Sequence, residues 1–392
     1  MLKNLKSYLS DYFILIKIST FLAVFFALLF YIVHYDSSLG KWIYGDWVIN
    51  YSAGFVRRGL SGEIILFIST LFNLSPPTIT SLIKIFFLFF SFIYFYKKTN
   101  NYTVFLILFS PILLGFYIFD PTATGRKEIL LFGIYAIYLL IEKPSILIEI
   151  FYIFILSIFL FIYEGLVFFY FFPILSIFLN NLEKNRNEYY KTYITTILLS
   201  FPIIISFIII YKFNPVPFLS QPEICKSLGE WQPIDCTTTG AINGLGDEMP
   251  GIQIPYIRQF FFYWTIVILS LVILPKFSKI KYINILPNLK INFYYLFIIG
   301  FLISFILSYY AFDWGRWIAI NNVCFFMFLL SFQKQKTNDL SIFTNNKLFY
   351  LSILPFLFRM PQCCIRPYED YFLITYILVK FYKLKEIIIL YI

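Results

Sequence analysis

Apolar runs long enough to cross a bilayer recur along almost the whole chain, and no other sequence feature restricts the fold as strongly. The first, residues 12–33, carries a single charge, Lys17. Inside lipid every backbone N–H and C=O must be satisfied within the chain, which a helix of roughly 20 apolar residues achieves. Further runs at 102–119, 146–163, 193–211, 257–274, 293–311 and 318–332 repeat the pattern. With 60% of its 392 residues hydrophobic and 13% charged, the chain could not bury this surface in a water-soluble domain. The reading is an all-α, polytopic integral membrane protein of about twelve transmembrane helices with both termini inside. It forms one transmembrane domain over 1–392, with a single long polar loop at 212–256. No small-residue cleavage site follows the first run, which reads as a retained span. Residues 64–73 are too short to cross and read as interfacial or re-entrant. The stretches 348–358 and 371–381 are weaker spans.

Several chemistries are excluded early. His34 is the only histidine, and the five cysteines form no CxxC pair or Cys/His cluster. A zinc site or a Ser-His-Asp triad therefore has no ligands or base to use. The formal charge of +10 is ordinary for a membrane protein with internal lysines, and no basic tract points to nucleic acid.

The cations sort unexpectedly on this topology. Apart from Lys41, Lys127, Lys212 and Lys226 outside and Lys84 within a span, the lysines fall inside. Among arginines only Arg186 is inside; Arg57, Arg58, Arg126, Arg258, Arg316, Arg359 and Arg366 fall outside. Lysine alone satisfies the positive-inside rule, so the external arginines stand against it. Guanidinium suits planar, bidentate binding of phosphate. The densest stretch, Gly54-Phe55-Val56-Arg57-Arg58-Gly59-Leu60-Ser61-Gly62-Glu63, sets two forked cations among glycines that permit sharp turns and close approach to a ligand. A plainer reading is a pair of arginines snorkelling at a loop. Gly125-Arg126-Lys127-Glu128 lies near a helix start, where the dipole also favours anions. Asp313-Trp314-Gly315-Arg316-Trp317 adds a third cluster, although tryptophan at a membrane edge is often a belt residue.

Carboxylates collect on the same side: Asp46, Glu63, Asp120, Glu128, Glu164 and Asp313. Charge at that depth is costly and marks a functional site, although most of these acids are expected to pair with the arginines. Glu164 differs, since no cation lies near it in sequence and its neighbours are apolar. A raised pKa there would suit a general base, with Glu63 and Asp120 in reserve. Asp120-Pro121 reads as N-cap and first residue of a helix running to residue 141. In the long loop, Cys225 and Cys236 are expected to form a disulfide on an oxidising side. The loop is acidic, and Trp231 could stack on a sugar; the alternative is a solvated cap without chemistry. Cys363 and Cys364 are adjacent and poorly placed to bond each other.

Taken together, Phe55-Val56-Arg57-Arg58-Gly59, Gly125-Arg126-Lys127-Glu128 and Asp313-Trp314-Gly315-Arg316 resemble bacterial Wzy-type O-antigen or capsule repeat-unit polymerases. The resemblance covers the layout of the whole chain and, in residues, only these short motifs. It implies a GT-C-like glycosyltransferase in the bacterial inner membrane with its site facing the periplasm. The implied donor is a glycan on undecaprenyl pyrophosphate and the acceptor a second lipid-linked repeat unit. Glu164 (or Glu63 or Asp120) would be the base, and Arg57, Arg58, Arg126, Lys127 and Arg316 would hold the pyrophosphate. A chain-length regulator and a flippase are the implied partners. Without a DxD pair, no metal or other cofactor is expected. The competing readings are a GT-C transferase moving one sugar from a polyprenyl-phosphate donor and a lipid-linked oligosaccharide flippase. A flippase needs cations through the bilayer, whereas these stop at its edge. An O-antigen ligase is expected by resemblance to use a histidine in its outer loop, and this loop has none.

Overall fold

The computed structural model describes residues 2–40, 42–99, 102–120, 123–184, 189–213, 221–238, 240–245, 257–274, 282–286, 289–309, 313–331 and 354–357. The chain begins with α1 (Leu2–Ser37), the single-turn α2 (Tyr44–Trp47), α3 (Gly59–Phe72) and α4 (Pro76–Lys98). Two short helices, α5 (Tyr102–Leu108) and α6 (Leu114–Phe119), precede α7 (Glu128–Leu140) and α8 (Ile146–Ile162). A 3-10 turn at Glu164–Phe169 leads to α9 (Phe171–Lys184) and α10 (Tyr189–Phe213). The short α11 (Gln221–Ser227) is followed by α12 (Ile257–Ile273), then by the antiparallel strands β1 (Tyr282–Leu286) and β2 (Leu289–Asn292). The last long helices are α13 (Phe293–Phe305) and α14 (Trp314–Ser331).

Local sequence explains the helix ends. Ser75 caps α4 by accepting from Thr78 N at 3.4 Å, Pro76 and Pro77 need no N–H there, and Lys97 and Lys98 complement the last turn. Ser145 caps α8 through Ile148 N at 3.4 Å. At the centre, α14 is buried from Trp314 to Leu330 and packs on α7, α9, α12 and α13. At the periphery, α1 and α10 turn large apolar side chains outward, among them Leu15, Phe26, Phe30, Leu198 and Phe201. Stretches within α1 (Tyr12–Ser37), α4 (Pro76–Lys98) and α10 (Tyr190–Phe213) are long and apolar enough to cross a membrane, and several shorter apolar helices accompany them. A mostly helical body with an apolar exterior is that of a helical membrane protein.

Several expectations need correction. The run 102–119 is not one helix: Leu113 N and Gly115 N both bond Ser110 O, at 3.0 and 3.1 Å, and turn the chain at Ser110-Pro111. Asp120 does not start a helix but ends α6, donating its N–H to Phe116 O at 2.9 Å. The next helix begins at Glu128, with Lys127 in the cap position. The all-α expectation stands, with one short antiparallel ribbon, Tyr282–Leu286 paired with Leu289–Asn292, in the basic loop before α13. Residues 371–381, Arg359, Arg366, Cys363 and Cys364 lie outside the described residues, as does 348–358 except for a 3-10 turn at Leu354–Leu357.

The described part of the long loop, within 221–245, is docked on the body. Cys225 and Cys236 are joined as a disulfide. Ile224, Leu228, Ile242 and Leu245 pack on Tyr44, Val48, Ile49 and Val56. Asp235 is buried and accepts from Ala241 N at 2.7 Å and from Trp42 N at 3.2 Å. Gly45 and Gly240 both lie against its carboxylate, where a Cβ would overlap it. Asn50 Nδ2 donates to Ser227 Oγ at 2.9 Å. Replacing Asp235 with Ala leaves the buried Ala241 N–H and the half-buried Trp42 N–H without this acceptor and should cost about 1–3 kcal/mol. Limited proteolysis should then open 221–245 first, with Asp235→Asn retaining more protection because its amide oxygen still accepts.

Candidate functional site

The arginine stretch forms the approach to α3. Arg58 stands at φ 67°, in the left-handed region, immediately before the helix. The neighbouring glycines serve chain packing: Gly59 lies on the Tyr51 ring, and Gly62 N bonds Ile49 O at 3.0 Å. Glu63 Oε1 accepts from Tyr51 N at 2.7 Å, which fixes the loop ahead of the arginines.

Arg58 is then held in a fork. Its Nε and Nη2 donate to Glu164 at 3.0 and 2.8 Å, and its Nη1 lies 3.5 Å from Asp46. Arg57 Nη1 is 3.9 Å from Glu164. Lys127, fully buried, donates to Ile162 O at 2.9 Å and pairs with Asp46 at 3.5 Å. Its loop is tied down by Trp47 Nε1, which donates to Gly125 O at 2.8 Å. Arg316 makes a second fork, to Glu128 at 3.0 and 2.9 Å, and reaches Asp313 at 3.1 Å. The Tyr163 ring sits between the two guanidiniums, 4.9 Å from Arg58 and 5.4 Å from Arg316. Below them Lys84 is paired with Asp36, which also accepts from Ser81 at 2.9 Å, and Lys84 lies 5.2 Å from the Trp47 ring.

Three sequence motifs more than fifty positions apart thus meet around Tyr163 and Asp46. Arg57, Arg58, Lys127 and Arg316 belong to the cluster, and Arg126 joins it through the charges of Arg316, Asp313, Glu128 and Asp46. Glu63 sits on α3, on the loop side of the cluster, and Asp120 is buried at the end of α6, where its charge acts on Tyr35.

Glu164 is where expectation and structure part. Burial pushes its pKa up, but the charge and hydrogen bonds of Arg58, with Arg57 behind, outweigh it and hold the carboxyl below its usual range. It is an ion-pair partner, not an isolated base, because a cation 106 positions away in sequence folds onto it. Asp46 is likewise held low: burial opposes its charge, and Lys127, Arg58, Arg126 and Arg316 overcome that. Burial lowers the Lys127 pKa to about 8, with Asp46 resisting and Arg58 assisting. Sequence reasoning missed the Lys84–Asp36 pair and the place of Tyr163. A lone lysine inside an apolar run was the signal for the first, since such a charge needs a partner at the same depth.

A narrow, mainly apolar cleft ends at this cluster. Leu28, Phe92, Phe95, Ile129 and Phe132 line it, and Arg126 and Glu128 stand in its wall. A forked cation beside an apolar shaft can bind an amphipathic anion, the head on the guanidinium and the chain in the groove.

Two measurements check this electrostatic assignment. Lys84→Met strands Asp36 in the interior and should cost roughly 3–5 kcal/mol, whereas Lys84→Met with Asp36→Leu should recover most of it. Thermal unfolding of the single and double variants in detergent reads the difference. Folded Lys127 titrates near 8, below its ordinary 10.5, so above pH 8 the unfolded chain binds more protons than the folded one. Native stability should therefore gain from this group as pH rises through that window, by up to ~1.4 kcal/mol per pH unit. Lys127→Arg, charged throughout, should remove the gain.

Comparison finds no match for this chain among protein families, characterised proteins or solved structures.

Proposed function

We propose that this protein is a GT-C-like membrane glycosyltransferase of the Wzy type. In this reading it spans a bacterial inner membrane about twelve times and polymerises undecaprenyl-pyrophosphate-linked oligosaccharide repeat units at the periplasmic face. One observation carries the proposal: Arg57, Arg58, Arg126, Lys127 and Arg316 converge where an apolar groove ends. A lipid pyrophosphate needs both features, a forked cation for its oxygens and an apolar shaft for its chain. The sorting of arginine against the positive-inside rule supports the same side for the site.

The ion pairs suggest how the chemistry is switched on. Pyrophosphate oxygens compete with Glu164 for Arg57 and Arg58. Displaced from them, Glu164 is left beside Phe161 and Leu166, where a carboxylate becomes more basic. It takes the proton of the acceptor hydroxyl as that oxygen bonds the anomeric carbon. The bond from that carbon to the pyrophosphate oxygen breaks, and its electron pair leaves with the pyrophosphate. Arg58 and Arg316 stabilise the departing charge, while Glu128 and Asp313 keep Arg316 aimed.

Polymer length in a strain lacking its own polymerase tests the reading. Arg58→Lys and Arg316→Lys lose the fork and should slow transfer roughly a hundredfold to a thousandfold. Glu164→Gln should retain lipid-pyrophosphate binding and make no polymer. Long polymer from all three variants would remove the site, and addition of one sugar without polymer would favour the single-sugar transferase.

A further inference from the structure

A pocket of about 420 Å³ opens at the end of α8 remote from the charged cluster. Glu164 follows the C-terminal end of this helix and Ser145 caps its N-terminal end, 17 residues and roughly 25 Å away. Lys143 and Ser145 wall the pocket from the α7–α8 connection, Asn181 from α9, and Lys191, Thr192 and Thr195 from the start of α10. A space of that size is a ligand site rather than a void for one water. None of these residues belongs to the site already described.

The wall selects for an anion. Its charged members are both lysines, and among the described residues no carboxylate lines it. Thr192 is 2% exposed, and its Oγ1 is buried without a hydrogen-bond partner. A buried hydroxyl is almost always paired in a folded protein, so this one points to a partner from outside the chain. The first N–H groups of α8 have no intrahelical acceptor and give the same end a positive dipole. Glu149, the acid in the first turn of α8, is fully buried, accepts from Asn181 Nδ2 at 2.6 Å and does not line the pocket.

The pocket also borders lipid-facing surface, since Leu147 and Ile150 on α8 and Ile194 and Leu198 on α10 turn outward. We propose that it binds the phosphate of an anionic phospholipid, in the leaflet opposite the cation cluster, with the acyl chains along α8 and α10. The lysines supply the charge, the Thr192 hydroxyl donates one hydrogen bond, and the bound head ties the α7–α8 connection to α10. Lysine suits this role, because basic pockets between helices attract such headgroups by charge, whereas the arginine forks fix an angle. The proposal stands independently of the transferase reading.

The test uses the full chain in a neutral maltoside detergent, with bound lipid counted by native mass spectrometry. Dioleoyl phosphatidylglycerol should bind saturably, with one molecule held most tightly, and dioleoyl phosphatidylcholine at equal concentration should not displace it. Lys143 and Lys191 are exposed, so Lys143→Gln with Lys191→Gln should fold as the wild type and weaken the site roughly thirtyfold. Thr192→Val keeps the shape, removes the hydroxyl and should weaken it roughly fivefold. Lys97→Gln with Lys98→Gln removes two charges from the end of α4 and should leave the affinity unchanged. Equal losses in the two lysine pairs would show general charge attraction and overturn the proposal, as would undiminished binding in both pocket variants. Displacement of phosphatidylglycerol by millimolar inorganic phosphate would assign the pocket to free phosphate and overturn the lipid as its source.

Discussion

The two arginine–carboxylate forks, Arg58 on Glu164 and Arg316 on Glu128, hold this end of the molecule together. Each adds a polar tie between segments that also pack against one another. The first ties the entry to α3 to the turn after α8, and the second ties the start of α7 to the start of α14. A bidentate pair fixes angle as well as distance, which a lysine could not do. The Tyr163 ring touches both forks, lying 4.9 Å from the Arg58 guanidinium and 5.4 Å from that of Arg316. Arg58 combines a left-handed backbone, φ 67°, with a side chain fastened at its far end to Glu164.

Such a concentration of charge is tolerable only because it is balanced. Asp46 lies between Arg58 and Lys127, Asp313 seconds Glu128 on Arg316, and Asp36 answers Lys84. Removing a single member leaves an uncompensated charge in a poor solvent, whereas an incoming anion replaces a carboxylate with another negative group. The site is therefore robust to substitution of one anion for another and fragile to simple loss.

Much of this was legible in the sequence, for reasons that can be named. Arginine, set among glycines and acids where lysine dominates elsewhere, marks Arg57, Arg58, Arg126 and Arg316, and residue type carries that inference without any geometry. The partner of Glu164 was not legible, because a carboxylate's sequence neighbours say nothing about a guanidinium on another helix. Asp120-Pro121 has the composition of a helix start, yet Asp120 stands at the end of α6 and α7 begins only at Glu128, with Lys127 in the cap position. Hydropathy read 102–119 as continuous because it does not register the turn that Ser110-Pro111 makes inside an apolar run.

The docked loop carries one more consequence. Its disulfide closes the cap that rests on Tyr44, Val48 and Val56, and the same short segment positions Asp46 and Arg58. Thiols stay reduced in a reducing compartment, so the cap acquires its covalent closure only after this part of the chain has reached an oxidising one. The scaffold beneath the arginines is therefore redox-sensitive: opening the Cys225–Cys236 bridge would loosen the segment that carries Asp46 and Arg58.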